Sequence, residues 1–335
     1  MSEQDFLYPL KFKPIFKDKI WGGQKMRTVL CKDFTPLPNC GESWEISGIE
    51  DDVSIVENGF LAENDLNELI EIYMHDLVGE KVYDYYGLGF PLLIKIIDAA
   101  ENLSVQVHPD DEYAYTHCES NGKTELWHVL DADPGAGLYV GFKTGVTKEQ
   151  YITAVSDGNV DQLLEFYPVA TGDTFFIPAG TVHAIGKGVL LAEIQQSSDI
   201  TFRVFDWNRK DEEGNTRELH TQEALEVIDF NNKTTYKINP EIKQNSTVKL
   251  IRNEYFNINM IDFNKPLQKV FTSIDSFVIY ICTEGEVHFI RDDKIEVLKR
   301  GETLLKPALI DMLNLVPVMP SKLLEVYIDI IEEEE

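Results

Sequence analysis

Thr171–Gly186 reads TGDTFFIPAGTVHAIG. Gly172 and Asp173 make a turn, TFFIP is an apolar strand, and Pro178-Ala179-Gly180 bends the chain before His183. The bend turns that histidine toward the inside of whatever the strands enclose. A single histidine among apolar residues is more often a packed core residue than a ligand. The fold and the chemistry therefore depend on what neighbouring strands bring to it.

Two neighbours carry polar groups on one face. In LSVQVHPDD, from Leu103, strand alternation puts Ser104, Gln106 and His108 on one side and Leu103, Val105 and Val107 on the other. Burying an amide and an imidazole unpaired is costly. The alternative is the solvated outer face of an edge strand, and the very apolar PLLIKIIDA (91–99) alongside argues against it. In GKTELWHVLDA, Glu125, Trp127 and Val129 share a face, and His128 falls on the opposite one with Leu126 and Leu130. If Glu125 is a ligand, His128 is not, and His128 is assigned to packing. His75, His117, His220 and His288 have no partner at ligand spacing. The candidate set is Gln106, His108, Glu125 and His183. Two imidazoles, a carboxylate and a neutral amide suit one Zn²⁺ per chain with an open coordination position. A redox iron site more often shows two histidines and a carboxylate without the amide.

Elsewhere the chain reads mostly as short strands, among them 91–99, 103–109, 125–132 and 188–196. Helical spacing appears near 62–86 and 147–166, the second interrupted at Asp157-Gly158. Strands with a few helices point to a β-sandwich or jelly roll with a helical insertion. GDTFFIPAG from Gly172 has a counterpart in GETLLKPAL from Gly301, each with five residues between its glycine and its proline. The second copy has no histidine after the proline, so it is expected to be a structural duplicate without a metal site. With a polar break at 230–247, the expected division is a catalytic domain over 1–235 and a C-terminal domain over 236–335.

Composition excludes several classes of function. The 335 residues are 43% hydrophobic and 11% aromatic, enough for a sizeable core. No apolar run is long enough to span a membrane, and the first residues do not read as a signal peptide. Cys31, Cys40, Cys118 and Cys282 are scattered, which suits reduced thiols and a cytoplasmic setting. A net charge of −28 argues against nucleic-acid or anionic-membrane partners. The acidic end of the chain, IIEEEE, is read as solvated. An anionic substrate would need a small basic pocket in this acidic protein.

The spacing Gly172, Pro178, Gly180, His183 resembles the second sequence motif of the cupin fold, with Lys187 where cupins often carry Asn. More specifically, KPIFKDKIWGG, PLLIKIIDAAENLSVQVHPDDEYA, GKTELWHVLDA and FIPAGTVHAIGKGVLLAEIQQSSDITFRVFDWNR resemble, in order, the type I phosphomannose isomerase family in its short bacterial form. The motifs span residues 11 to 210. The resemblance implies a mainly β chain: a cupin (double-stranded β-helix, jelly-roll) catalytic barrel, a small helical insertion and a second, degenerate C-terminal barrel. It implies zinc on Gln106, His108, Glu125 and His183, and interconversion of mannose 6-phosphate and fructose 6-phosphate through a cis-enediol. The family's active-site arginine falls on Arg203 and its pocket lysines on Lys95 and Lys123, while Ser104 and Trp21 match positions that line the site. His128 departs from the family, which usually has an aromatic there.

Such an isomerisation needs an electrophile for the developing oxyanion and a general acid or base. Arg203 and Lys123 are the catalytic candidates beside the metal. Arg209, six residues after Arg203, is a candidate for the phosphate, with ordinary surface charge as its plain alternative. A dioxygenase-type cupin and a non-catalytic sugar-phosphate-binding cupin remain the other readings.

Overall fold

The structure, a computed structural model, describes residues 7–210, 213–231 and 235–330. The four closing glutamates and part of the polar 230–247 break lie outside them. The described residues form twenty-one strands and six α-helices, the mainly β class expected.

The chain divides into two compact units, Phe16–Ser43 with Leu93–Asn239, and Met1–Ile15 with Trp44–Leu92 and Pro240–Glu335. A simple division at 235/236 differs from this in one respect: the segments before Ile15 and around 44–92 group with the C-terminal strands.

Through residue 239 the strands are β1 (Ile15–Lys17), β2 (Glu42–Ile46), β3 (Leu92–Ala99), β4 (Val105–Val107), β5 (Glu125–Ala132) and β6 (Gly137–Phe142), followed by β7 (Leu164–Pro168), β8 (Thr174–Ile177), β9 (His183–Ile185), β10 (Val189–Gln196), β11 (Phe202–Phe205) and β12 (Lys237–Ile238). They make a seven-stranded sheet, β1-β2-β3-β10-β5-β8-β12, and a five-stranded sheet, β11-β4-β9-β6-β7. Residues of both sheets meet in one apolar cluster, with Ile97, Trp127, Phe175 and Leu191 from the first and Leu138, Val140 and Ile185 from the second. The sheets therefore enclose a barrel interior. The outer face of the five-stranded sheet carries Val105, Val107, Phe202 and Val204. They cluster there with Tyr151 and Ala154 of α5 (Lys148–Asp157) and Ala224 of α6 (Thr221–Val227). All eight residues of β3 are buried, which explains why its sequence is apolar on both faces instead of alternating.

Several helix boundaries differ from expectation. α5 starts at the expected Thr147 cap, whose hydroxyl accepts the Gln150 N–H, but ends at Asp157 because Gly158 takes a left-handed φ of +66°. The remainder of the expected 147–166 helix is a 3-10 turn at Val160–Leu163 followed by strand β7. The 62–86 helix is two: α2 (Leu66–Val78), opened by an Asp65–Glu68 capping box, and α3 (Glu80–Tyr86). Gly79 separates them at φ +104°, where a Cβ would lie 2.5 Å from the Asp275 carbonyl oxygen. Three short helices have no counterpart in the sequence reading: α1 (Lys25–Thr28), α6, and α4 (Asp111–Cys118), whose cap Asp110 accepts the Tyr113 N–H.

The second unit carries β13 (Ser246–Arg252), β14 (Asn257–Phe263), β15 (Leu267–Val270), β16 (Val278–Glu284) and β17 (Glu286–Arg291), then β18 (Lys294–Lys299), β19 (Thr303–Lys306), β20 (Met312–Pro317) and β21 (Ser321–Tyr327). Sheets β13-β14-β21-β16-β19 and β15-β20-β17-β18 share a core that includes Phe263, Tyr280, Phe289 and Leu315. The sequence repeat has a structural counterpart. Gly172 and Gly301 both take left-handed φ, +93° and +83°, before β8 and β19. β8 pairs with β5 as β19 pairs with β16. Ile177 faces Glu125 in the first copy and Lys306 faces Val278 in the second. The carboxylate position of the first copy is thus a valine in the second.

Candidate metal centre

The five-stranded sheet aligns three polar residues across adjacent strands. Arg203 of β11 faces Gln106 of β4, and Gln106 faces His183 of β9. Cross-strand partners share a face, and here it is the interior one, because Val105, Val107, Phe202 and Val204 point outward. From the seven-stranded sheet, β5 sends in Glu125, which is fully buried.

Each ligand candidate is positioned locally. Gly180 takes φ +78°, and a Cβ there would sit 3.0 Å from the Val227 carbonyl oxygen. Its N–H donates to the His108 carbonyl at 2.9 Å, so the bend before His183 is tied directly to the second histidine. The Thr181 carbonyl lies 2.8 Å from His183 Nδ1, and the Ile200 carbonyl lies 2.8 Å from His108 Nδ1. A carbonyl only accepts, so both imidazoles carry their proton on Nδ1 and keep the Nε2 lone pair for a ligand.

Those lone pairs converge. His108 Nε2 lies 3.2 Å from Glu125 Oε1, and His183 Nε2 lies 3.9 Å from Glu125 Oε2. One ligand atom from each of the three residues falls within 4.8 Å of the others, a grouping that could hold a metal ion. The Gln106 amide nitrogen is 3.3 Å from His183 Nε2, so the amide borders the same point. His108 Nε2 and Glu125 Oε1 are buried with no hydrogen-bond partner among the described residues. Buried orphans of this kind are what a metal-ligand set looks like without its ion.

The electrostatics agree. Burial, with Lys123 nearby, lowers His108 to about 3, and burial also lowers His183, so both rings are neutral. Burial pushes the Glu125 carboxyl up, but Lys123 and His108 outweigh it and hold the group well below the ordinary glutamate range.

Lys123 approaches Glu125 Oε1 to 3.3 Å and is itself buried. Its strand entry is braced on three consecutive N–H groups. Gly122 donates to Asp111 Oδ1 at 2.7 Å, Lys123 to the Pro109 carbonyl at 3.0 Å, and Thr124 to Gln196 Oε1 at 2.8 Å. Gln196 Nε2 closes the ring on Asp111 Oδ1 at 2.9 Å. Lys95 of β3 is buried with its Nζ 3.6 Å from Glu193 Oε1. Burial works against its charge, but Glu193, Glu42 and Asp199 outweigh that and raise its pKa.

Arg203 is partly buried; its Nη1 donates to the Glu218 carbonyl at 2.9 Å and its Nε has no partner among the described residues. Burial and the neighbouring Arg217 and Arg209 lower its pKa. Arg209 is engaged elsewhere: Nη2 donates to Asp206 and Nη1 donates to the Asn102 carbonyl at 2.7 Å. Trp21 packs in the inter-sheet cluster, and Ser104 is buried just ahead of β4. On the opposite face of β5, Nδ1 of the buried His128 lies 2.8 Å from Thr174 Oγ1.

Sequence reasoning missed two interior groups on β10, Glu193 and Gln195. Glu193 Oε2 accepts the Trp127 indole N–H at 2.9 Å, and Glu125 Oε2 shares that donor at 3.0 Å. Burial, reinforced by Glu125, pushes the Glu193 carboxyl up to about 7. The signal was present: Val189, Leu191, Glu193 and Gln195 alternate on one face of VLLAEIQQ, the pattern that singled out Gln106 and His108.

Comparison with known proteins shows the family. Residues 9–128 match the family model of the phosphomannose isomerase type I catalytic domain. The chain is 38% identical to the mannose-6-phosphate isomerase ManA of Bacillus subtilis strain 168 over 305 residues, covering 89% of this chain and 93% of that one. It is 42% identical to a mannose-6-phosphate isomerase of Streptococcus mutans over 220 residues, 66% of this chain and 67% of that one. A crystal structure of the mannose 6-phosphate isomerase from Bacillus subtilis superposes with a TM-score of 0.86 at 32% identity, covering 96% of this chain and 100% of that one.

Proposed function

The chain belongs to the type I phosphomannose isomerases, and on that premise we propose that it interconverts D-mannose 6-phosphate and D-fructose 6-phosphate as a zinc-dependent aldose–ketose isomerase, through a cis-enediol. The observation that carries the reading is the buried meeting of His108, Glu125 and His183, with both Nε2 lone pairs turned into the site because Nδ1 of each ring is spent on a carbonyl, that of His183 facing the Gln106 amide.

The donor set fits a single zinc held by His108, Glu125, His183 and the Gln106 amide oxygen. When bound, the ion supplies an electrophile for the oxygens of the reacting carbons. The chain's own residues supply the rest. Lys123, fixed by the Asp111–Gln196 brace, stabilises negative charge developing beside Glu125. Arg203 faces the same interior row and stabilises the enediolate, and also helps move the proton that opens the sugar ring. Lys95, Ser104 and Trp21 complete the proposed substrate-binding set, with Arg209 as the candidate for the phosphate, although both its Nη groups are held by Asp206 and the Asn102 carbonyl. These few cations provide the basic pocket that an anionic substrate requires in so acidic a protein. A cytoplasmic setting belongs to the same reading, in which Cys31, Cys40, Cys118 and Cys282 are thiols and not disulfides.

Coupled detection of fructose 6-phosphate formed from mannose 6-phosphate tests the proposal. Turnover that a chelator abolishes and added zinc restores is expected. Turnover indifferent to exhaustive chelation removes the metal from the reading, and no turnover by the metal-loaded protein removes the isomerase.

Glu193 is the group we assign to move the proton between the two carbons. A carboxyl with its pKa raised to about 7 from an ordinary 4.5 divides evenly between its two forms near neutrality, which suits a base that must later return the proton. As a base it works only when ionised, so kcat/KM should rise with pH toward about 7. In Glu193→Gln that rising limb should vanish and kcat should fall by about 10²–10⁴. An unchanged limb in the variant would assign it to another group. The linkage to folding has the opposite sense. Stability tied to the protonated form is present below about 4.5 and is lost as pH rises through about 7. Thermal melts across that window should show a slope that the variant lacks.

A further inference from the structure

Gln195 is fully buried and sits opposite Glu125 in register, on the interior face of β10. Its Nε2 donates to two backbone carbonyls, Gln196 at 2.9 Å and Ser198 at 2.6 Å. Those bonds fix the amide's orientation, because the flipped arrangement would press Oε1 against two carbonyl oxygens. Oε1 is therefore held away from the chain that anchors Nε2, and it has no hydrogen-bond partner among the described residues. An acceptor buried without a donor is a standing cost to the fold. Other orphans in this interior, His108 Nε2, Glu125 Oε1 and Arg203 Nε, belong to the proposed metal and substrate groups. The pairing of Gln195 with Glu125 puts its side chain on the strand face that carries the proposed metal ligand.

We infer that Gln195 Oε1 accepts a hydrogen bond from a hydroxyl of the bound sugar phosphate, making Gln195 a specificity-determining residue of the isomerase. The inference rests on the proposed function. An amide oxygen can only accept, so its partner is neither the phosphate nor a carbonyl oxygen. The hydroxyls that remain unchanged between the aldose and the ketose, at C3 and C4, are the donors available throughout the reaction. A contact kept in both substrates and in the transition state is uniform binding, which acts on KM and leaves kcat nearly unchanged.

Steady-state kinetics of the zinc-loaded enzyme test this with mannose 6-phosphate and its 3-deoxy and 4-deoxy analogues. The unaltered enzyme should lose about 10- to 100-fold in kcat/KM with one of the two analogues. Gln195→Met should lose a similar factor with mannose 6-phosphate, mostly in KM, and lose little more with that same analogue. Gln195→Glu, which keeps an oxygen acceptor, should retain the preference for the natural sugar. The inference is overturned if the losses from the Met variant and from each analogue simply multiply. It is also overturned if the Met variant loses kcat and metal together, which marks a structural role. A crystal structure of the unaltered holoenzyme with fructose 6-phosphate decides the point without any variant. A sugar hydroxyl within about 3.2 Å of Oε1 supports the inference, and a protein donor in that place overturns it. Failure of the unaltered enzyme to turn over mannose 6-phosphate overturns the functional reading and this inference with it. Turnover without coupling between Gln195 and either hydroxyl overturns this inference alone.

Discussion

A chain carrying His108→Ala together with His183→Ala is expected to purify without its single zinc equivalent and to lose isomerase activity by on the order of 10³-fold or more. Metal polarisation of a reacting oxygen contributes several kcal/mol, and each ~1.4 kcal/mol is a factor of ten in rate. The loss should be this large because the ligands are buried and oriented one by one. The Thr181 and Ile200 carbonyls hold the two rings, and among the described residues no other histidine joins the grouping at Glu125. Elemental analysis of the purified variant, beside circular dichroism to confirm folding, is the measurement. One equivalent in the unaltered protein and none in the variant is the expected result. A full equivalent retained by the variant would place the metal elsewhere. The C-terminal strands are a poor second home, since Val278 stands where the first repeat has Glu125 and no histidine follows Pro307.

The second large effect belongs to Arg203→Ala. Its strand neighbour is Gln106, and beyond Gln106 lies His183, so the guanidinium rises from the same interior row as the ligands. One Nη is held by the Glu218 carbonyl, while Nε has no partner among the described residues. Burial and two neighbouring arginines lower its pKa, yet a guanidinium starts so high that it stays charged at neutral pH. It therefore acts as a fixed positive donor and not as an ordinary base. Such a donor aimed at charge that develops in the transition state is worth ~3 kcal/mol, so kcat should fall by about 10²–10³ with KM little changed. Arg203→Lys, which keeps the charge without the planar fork, should recover only part of the loss. Near-normal kcat with a greatly raised KM would reassign Arg203 to the phosphate. Zinc content has to be verified in each variant, because Gln106 is the adjacent residue across the sheet.

The strand segments were legible because alternation and punctuation agreed. β5 falls at 125–132 as read, and β3 and β10 begin one residue inside their expected ranges. His128, placed by alternation on the face away from Glu125, is buried beside Thr174. Reading failed where an element is short or where tertiary contacts set its limits. α4 is eight residues, too short for periodicity to emerge, and its signal was only the Asp110 cap. β7 was read as the end of a helix because its apolar residues continue a helical spacing. Pairing of Leu138 with Tyr167 and Tyr139 with Phe166 on β6 makes it a strand, and no local feature announces that partner.

The sequence by itself determined which side chains face inward. Alternation along a strand is a property of the local backbone, so residue order alone grouped Gln106 with His108 and Glu125 with Trp127 by face, while the bend at Pro178–Gly180 and the resemblance to the family brought in His183. Only the tertiary structure decided what those inward groups do to one another. Glu193 is an unremarkable acid in an apolar strand until β10 sets it beside Trp127, Lys95 and Glu125, where burial and a like charge raise its pKa to about 7. The free oxygen of Gln195 exists only because the carbonyls of Gln196 and Ser198 claim its nitrogen. Likewise, both histidines offer Nε2 only because carbonyls two and ninety-two residues away take Nδ1. Tautomer, orientation and pKa depend on distances through space of a few ångströms, and separation along the chain does not encode them.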